Sequence, residues 1–236
     1  MLQKIKAQIE SVLGSGSMLQ RRPALDAHKQ SNIPGVYVIG DLAGAPVIKL
    51  AMAQGFEVVE HIASLPDARP SRSLRPDISG QGTIGARGSD PNVYDLIVVG
   101  AGAAGLNAAL AAKERGLRCL LLEKEKIANT IENFPQGKWV YAEPDATPPK
   151  GKLWLDGAQK EDLIRRWHQI VLENELEIRT EEGLKAIACE KDGTLRVTSE
   201  KQEYRARRVI LATGQRGNPR KLKVPGEERE KIYHRL

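Results

Sequence analysis

The sequence is poor in the residues that staple a protein together. It holds two cysteines in 236 residues, Cys119 and Cys189, 70 positions apart. Two lone thiols exclude a disulfide scaffold and provide no metal-ligand spacing. No Cys-x-x-Cys occurs, so redox chemistry through a vicinal cysteine pair is not written in this chain. Both cysteines lie in apolar or strand-like runs and read as reduced core thiols. Histidine is scarce too: His28, His61 and His234 lack carboxylate or cysteine partners at ligand spacing, and His168, beside Trp167 on an amphipathic stretch, reads as a surface or packing residue rather than a base, so no metal is expected. Aromatic residues make up 4%, too few to build a base-stacking platform beside the basic residues. The net charge of +6 is scattered through Arg21-Arg22, Arg165-Arg166, Arg205 to Arg208 and Arg216 to Lys223. That surplus suits anions, nucleotides included, but no nucleic-acid partner is expected. There is no apolar run of membrane-spanning length and no signal-peptide core, so no membrane partner is expected and the chain reads as cytoplasmic.

What is present is a folded body with 41% hydrophobic residues. Residues 1–17 read as a short amphipathic helix followed by a Gly-Ser joint. Residues 18–65 hold a polar lead-in, an apolar strand over 36–39 and a helix over 46–64. Residues 66–92, rich in proline and glycine and without periodicity, read as a linker; with Leu65 it would reach roughly 90 Å if fully extended. From 93 to 236 a compact alternation begins: a strand at 96–99, a helix at 103–115, a strand at 117–122 and an amphipathic helix at 159–174. Three short strands follow, with an Asp192-Gly193 hairpin turn between the last two, then a final strand at 205–212.

The stretch DLIVVGAGAAGLNAALAAKERGLRCLLLEKE (95–125) carries a dinucleotide fingerprint. Gly100 permits a tight turn, Gly102 lets backbone approach a pyrophosphate, and Gly105 lets the helix pack closely on the strand. The helix start then offers free N–H groups and partial positive charge to phosphates. Glu123, 23 residues after Gly100, ends the next strand where a carboxylate can accept from both ribose hydroxyls. An acid there, rather than an arginine, disfavours a 2′-phosphate.

Two further stretches, VILATG (209–214) and PGVYVIGD (34–41), resemble the second and third signatures of two-domain flavoproteins, and ANTIENFP (128–135) resembles the flavin-reaching loop of their thioredoxin reductase branch. The chain resembles the FAD-binding domain of a thioredoxin reductase-like flavoprotein over roughly 18–65 and 92–236. That resemblance implies an α/β fold, an FAD-binding Rossmann-type domain with a parallel sheet and a small β-meander. It implies that Gly100, Gly102, Ala103, Ala104 and Gly105 hold the pyrophosphate, and Glu123 and Lys124 the adenosine ribose. Leu184 would meet adenine through its backbone, with Ala212, Thr213 and Gly214 passing the pyrophosphate. Asn133 would reach the flavin, Gly40 and Asp41 the ribityl chain, and Ile48, Lys49 and Leu50 the ring edge.

The family order is fingerprint, ATG segment, NADPH domain, GD segment. Here the GD segment comes first, and neither a second fingerprint nor a Cys-x-x-Cys follows. The implied function is transfer of electrons from NAD(P)H through FAD to an unnamed acceptor. NAD(P)H is the implied donor, but no site for it is seen, and no catalytic residue can be named. The alternative is a non-catalytic FAD-binding module that works with a partner polypeptide, either an NADPH domain or an electron acceptor. A permuted FAD domain predicts that 35–41 joins the sheet of 96–99 and 208–212, within one chain or exchanged in a homodimer.

Overall fold

The computed structural model describes residues 22–67 and 90–215. The expected N-terminal helix and joint, most of the linker and the basic tail lie outside the described residues.

β9 (Glu203–Leu211) is the strand around which the fold is arranged. Along one side it pairs in parallel with β2 (Val93–Val99), from Val93↔Arg205 to Val99↔Leu211. Its other side is divided. The first half pairs antiparallel with β8 (Leu195–Ser199), and the last residues pair in parallel with β1 (Val36–Val38). Beyond β2 lie β3 (Cys119–Leu122) and β6 (Ile178–Arg179), both parallel. β7 (Leu184–Cys189) extends the antiparallel side through a hairpin with β8. A parallel sheet and a small meander thus share one strand, as the sequence predicts, and β1 joins the sheet within the same chain.

These strands are near-continuous apolar runs because both faces of the parallel portion are covered. Tyr37, Ile39, Leu96, Val98, Leu121 and Ile210 face the helical layer, whereas Val36, Ile97, Val99, Leu120, Leu122 and Val209 face a second cluster with Leu195 and Val197 from the meander. The helical layer consists of α1 (Ile48–Ser64) and α2 (Ala103–Glu114). A one-turn α3 (Asn129–Glu132) and α4 (Lys160–Glu173) follow. α4 buries Leu163, Trp167 and Val171, the stripe its periodicity predicts. The 127–157 stretch contains α3 and the strand β4 (Trp139–Val140), which pairs with β5 (Ala158–Gln159).

β1 would be a bare edge strand. The lead-in covers it, since Ser31 N–H donates to Val36 O (2.8 Å) and Val38 N–H donates to Lys29 O (2.9 Å). Pairing the free edge removes a template for self-association.

α1 sits on α2 at a distance that only glycine allows. A Cβ on Gly55 would lie 2.3 Å from the Ala104 carbonyl oxygen and 3.2 Å from the Ala108 nitrogen. The obstacle is backbone, which cannot rotate away. Gly55→Val is therefore expected to destabilise the chain by about 3 kcal/mol or more, the upper range for overpacking. Urea denaturation checks this; a midpoint equal to wild type would show that the two helices can part without cost.

Where α1 ends, the ring of His28 lies parallel to that of His61 with centroids 3.8 Å apart, and Tyr37 meets His61 edge-on at 6.3 Å. Spacing along the sequence gave no hint of this pair. Burial and the neighbouring His28 hold His61 below its ordinary pKa, against the opposing pull of Asp26; Arg208 also lowers it. As pH falls through about 6.5, the unfolded chain takes up this proton before the folded one does, so stability declines until the folded pKa is passed. Above that window His61 is neutral in both states and contributes no slope. Wild type is expected to lose more stability than His61→Gln between about pH 7.5 and 5. Parallel urea-midpoint profiles for the two proteins would remove His61 as the cause.

One expectation is corrected. Cys189 is exposed on β7 rather than buried in a core, because the meander's outer strand has one uncovered face. Cys119 is half-buried, and burial, with Glu177 and Asp95 nearby, pushes its thiol up to about 12.

Candidate functional site

Three chain turns converge where the parallel strands end. After β2 come Gly100 and Gly102, after β9 come Ala212, Thr213 and Gly214, and after β1 come Gly40 and Asp41. The register places them side by side: Val38 and Val99 both pair with Leu211, from opposite sides. Ile39 N–H donates to Leu211 O (2.9 Å) and Ala212 N–H to Val99 O (2.8 Å), which carries the pairing into the turns. In open α/β sheets this carboxyl end is where ligands bind.

The glycines of the first turn serve different ends. Gly100 has φ +106, and a Cβ there would lie 2.5 Å from Ala212 O. A Cβ on Gly105 would lie 1.9 Å from Gly100 O, so this glycine seats the helix on the turn. Around Gly102 nothing lies within 4 Å of the Cβ position. Its missing side chain therefore leaves room for a ligand rather than for the protein. α2 begins immediately after it, with first-turn N–H groups lacking intrahelical acceptors. Open space at Gly102 beside free donors fits an anionic pyrophosphate.

Glu123 lies at the end of β3. Its Oε2 accepts from Ala101 N–H at 2.6 Å and its Oε1 from Glu125 N–H at 2.8 Å. The carboxylate thus braces the glycine turn, and each oxygen retains a further lone pair. Lys124 beside it is exposed. Leu184 opens β7 and packs partly buried against the meander cluster.

On the β1 side of the same sheet end, Gly40 and Asp41 form a short 3-10 turn. Gln54 of α1 fixes it by accepting from Gly40 N–H at 2.9 Å, and Gln215 Nε2 donates to Asp41 O at 3.0 Å. The Asp41 carboxylate has no hydrogen bond among the described residues. Ile48 and Leu50 are partly buried in the helical core. Lys49 is buried, with Nζ donating to Pro144 O at 2.9 Å, so its side chain anchors the 141–157 segment. Asn133 is exposed, its amide donating to Asn129 O (2.9 Å).

The sequence reading missed Asn107, which is fully buried one turn into α2. Its Nδ2 donates to Met52 O (2.8 Å) and Lys150 O (2.7 Å), and its Oδ1 accepts from Leu153 N–H (3.1 Å). One amide thus joins α1, α2 and the segment passing over them. The available signal was a lone polar residue in an otherwise small and apolar helix. Among the described residues no cluster of three His, Cys, Asp or Glu could hold a metal ion, and no helix is long and apolar enough to cross a membrane.

The crowded Gly105 and the open Gly102 separate folding from binding. Gly105→Ala is expected to lower the urea midpoint sharply, whereas Gly102→Val should leave it near wild type and weaken dinucleotide retention at least about tenfold, the scale of a displaced hydrogen-bonded contact. Equal effects of both substitutions on stability would contradict the division of roles.

The sequence profile of a family described as pyridine nucleotide-disulphide oxidoreductase matches residues 97–236. A thioredoxin reductase of Treponema pallidum is 33% identical over 140 residues, covering 57% of this chain and 39% of that protein. A ferredoxin–NADP reductase of Ignicoccus hospitalis is 27% identical over 140 residues, covering 59% and 43%. Among solved structures, bacillithiol disulfide reductase Bdr of Staphylococcus aureus superposes with a TM-score of 0.53 at 22% identity, over 61% of this chain and 46% of that one, a shared fold. The chain spans about two fifths of the length of the curated relatives it matches.

Proposed function

The chain belongs to the pyridine nucleotide-disulphide oxidoreductase family, and we propose that it forms the FAD-binding part of a flavoprotein reductase. The observation that carries this reading is the convergence of three turns at one sheet end, with space at Gly102 and, among the described residues, an unengaged carboxylate at Asp41. Thioredoxin, ferredoxin–NADP and bacilliredoxin reductases among the relatives support the reductase class.

In this reading the N–H groups of Ala103 and Ala104 bind the pyrophosphate, helped by the positive end of α2. Glu123 accepts from the adenosine ribose while it braces Ala101, and the Leu184 backbone meets the adenine. Ala212, Thr213 and Gly214 line the pyrophosphate from the neighbouring strand. Asp41 accepts from the ribityl hydroxyls, Asn133 approaches the flavin, and the α1 start at Ile48, Lys49 and Leu50 brings positive helix potential to the ring edge. When bound, FAD supplies hydride acceptance and electron release. A 2′-phosphate would meet the Glu123 carboxylate, so FAD rather than NADP suits this site.

The chain's own thiols do not suit a disulfide relay. Cys119 has its thiol raised to about 12, far from the reactive range, and it lies on a different strand from Cys189. In this reading electrons pass from NAD(P)H through FAD to an acceptor other than a Cys119–Cys189 pair; the alternative is a non-catalytic FAD-binding module that works with a partner polypeptide.

The full chain, purified or reconstituted with FAD, is expected to show a visible flavin spectrum and to lose it on Asp41→Ala or Gly102→Val. Protein that stays colourless after incubation with excess FAD would overturn the reading.

A further inference from the structure

Glu182 is an acid in a place where folds rarely keep one. It is 3% exposed, and no lysine or arginine pairs with it among the described residues. A buried carboxylate without a cation must be held by hydrogen-bond donors. Here Oε1 accepts from Ser199 Oγ (2.5 Å) and Tyr204 Oη (2.9 Å), hydroxyls on β8 and β9. Its backbone N–H donates to the carbonyl of Glu123 at 2.8 Å. The preceding Glu181 has φ +53, a left-handed turn that suits glycine better, and it directs the next residue inward. Gly183 then exchanges bonds with Glu200: its carbonyl accepts from Glu200 N–H (2.9 Å) and its N–H donates to Glu200 Oε2 (3.1 Å). Leu184 follows directly and opens β7.

One residue therefore ties together the end of β3, where Glu123 lies, the meander strands β8 and β9, and the first residue of β7. An apolar side chain could fill the same volume but could not orient two hydroxyls. Resting on the FAD reading above, we propose that Glu182 is a positioning residue for the adenosine end of the cofactor. It sets the spacing between the Glu123 carboxylate and the Leu184 backbone, and so makes the site prefer an adenosine-bearing flavin to a flavin mononucleotide. Glu182 itself touches no ligand in this account. Its effect falls on the adenosine half and not on the flavin half, which Gly40, Asp41 and α1 hold from another strand.

Truncation at this position leaves few orphaned groups. Ser199 Oγ stays within reach of Gln202 O (2.9 Å), and Tyr204 Oη keeps the donor Gln202 Nε2 (2.5 Å). Glu182→Ala is thus a fair test, and Glu182→Gln keeps an oxygen that both hydroxyls can reach. FAD and FMN are titrated separately into full-length wild type and variants, followed by flavin fluorescence. Glu182→Ala is expected to raise the FAD Kd about tenfold, the scale of a lost charge-assisted contact, with the FMN Kd changed by less than about twofold. Glu182→Gln is expected to restore most of the FAD affinity. Equal weakening of FAD and FMN would overturn the proposal in favour of a general structural role, and an unchanged FAD Kd would overturn it outright. If the alanine variant fails to fold, Tyr204→Phe removes one hydroxyl from the network. It should weaken FAD alone, and equal Kd values for both flavins would count against Glu182. Wild type that binds neither flavin shows that the FAD reading has failed, and the inference falls with it. Wild type that binds FMN as tightly as FAD overturns only the positioning role.

Discussion

Three parallel residue pairs, Val36↔Val209, Tyr37↔Ile210 and Val38↔Leu211, decide where every other group of interest lies. They seat β1 on the second half of a strand whose first half belongs to the meander. Once the register is set, Gly40 and Asp41 stand beside the turn after β9, which stands beside the glycine turn after β2. α1 leaves the sheet where Gly55 meets α2 at Ala104. Moving β1 by one residue would turn Tyr37 and Ile39 to the other face and break the helical layer. The pairing is therefore specified from both sides, by the apolar pattern of the strand and by the close approach of the helices.

Chain order matters less to this assembly than contact. Val36, Val38, Ile39, Met52, Val58, Val59 and Ile62 are each no more than 3% exposed, and fully burying a side chain of this kind stabilises by roughly 1.5–3 kcal/mol. The connection from Asp67 to Asp90 enters the balance through its length, and doubling a loop costs only about 0.6 kcal/mol. A strand and helix can thus join the sheet from a position far upstream of the strand they pair with. The sheet sees the same neighbours, and the entropic difference is small beside the surface buried.

Much of this was legible in the sequence, for a physical reason. Strands covered on both faces must be apolar throughout, so VYVI, LIVV, CLLL and RVIL declare themselves, and the glycines at 100 and 105 mark a turn that larger residues could not make. What could not be read is contact between residues distant in sequence. The exchange of hydrogen bonds through Asn107 links positions 52, 107, 150 and 153. The stacking of His28 on His61 joins the lead-in to the far end of α1. The hydrogen bond from the Lys49 ammonium to the Pro144 carbonyl spans 95 positions of sequence. Cys189 looked buried because alternation along a two-layer strand does not reveal which strands lie at the sheet's margin.

The two ends of the parallel sheet divide the labour. At the amino ends of the strands, charges are engaged with one another: Arg208 with Asp67, Arg207 with Asp95, and Arg118 above the ring of Tyr94, whose hydroxyl donates to Glu177 at 2.8 Å. Tyr37 also lies there, its phenol raised by burial and lowered in part by Arg208. At the carboxyl ends the described residues leave polar groups available, as the Asp41 carboxylate and the first-turn N–H groups of α2 are. Glu123 shows how one residue can serve both needs. Its carboxylate holds Ala101 and Glu125 through N–H donors and still has lone pairs for a ligand. The turn is therefore held in shape before any dinucleotide arrives, and binding need not also supply the cost of ordering it. That preorganisation explains why a crowded glycine, Gly105, and an open one, Gly102, sit only three residues apart: the first fixes the floor of the site and the second keeps its entrance clear.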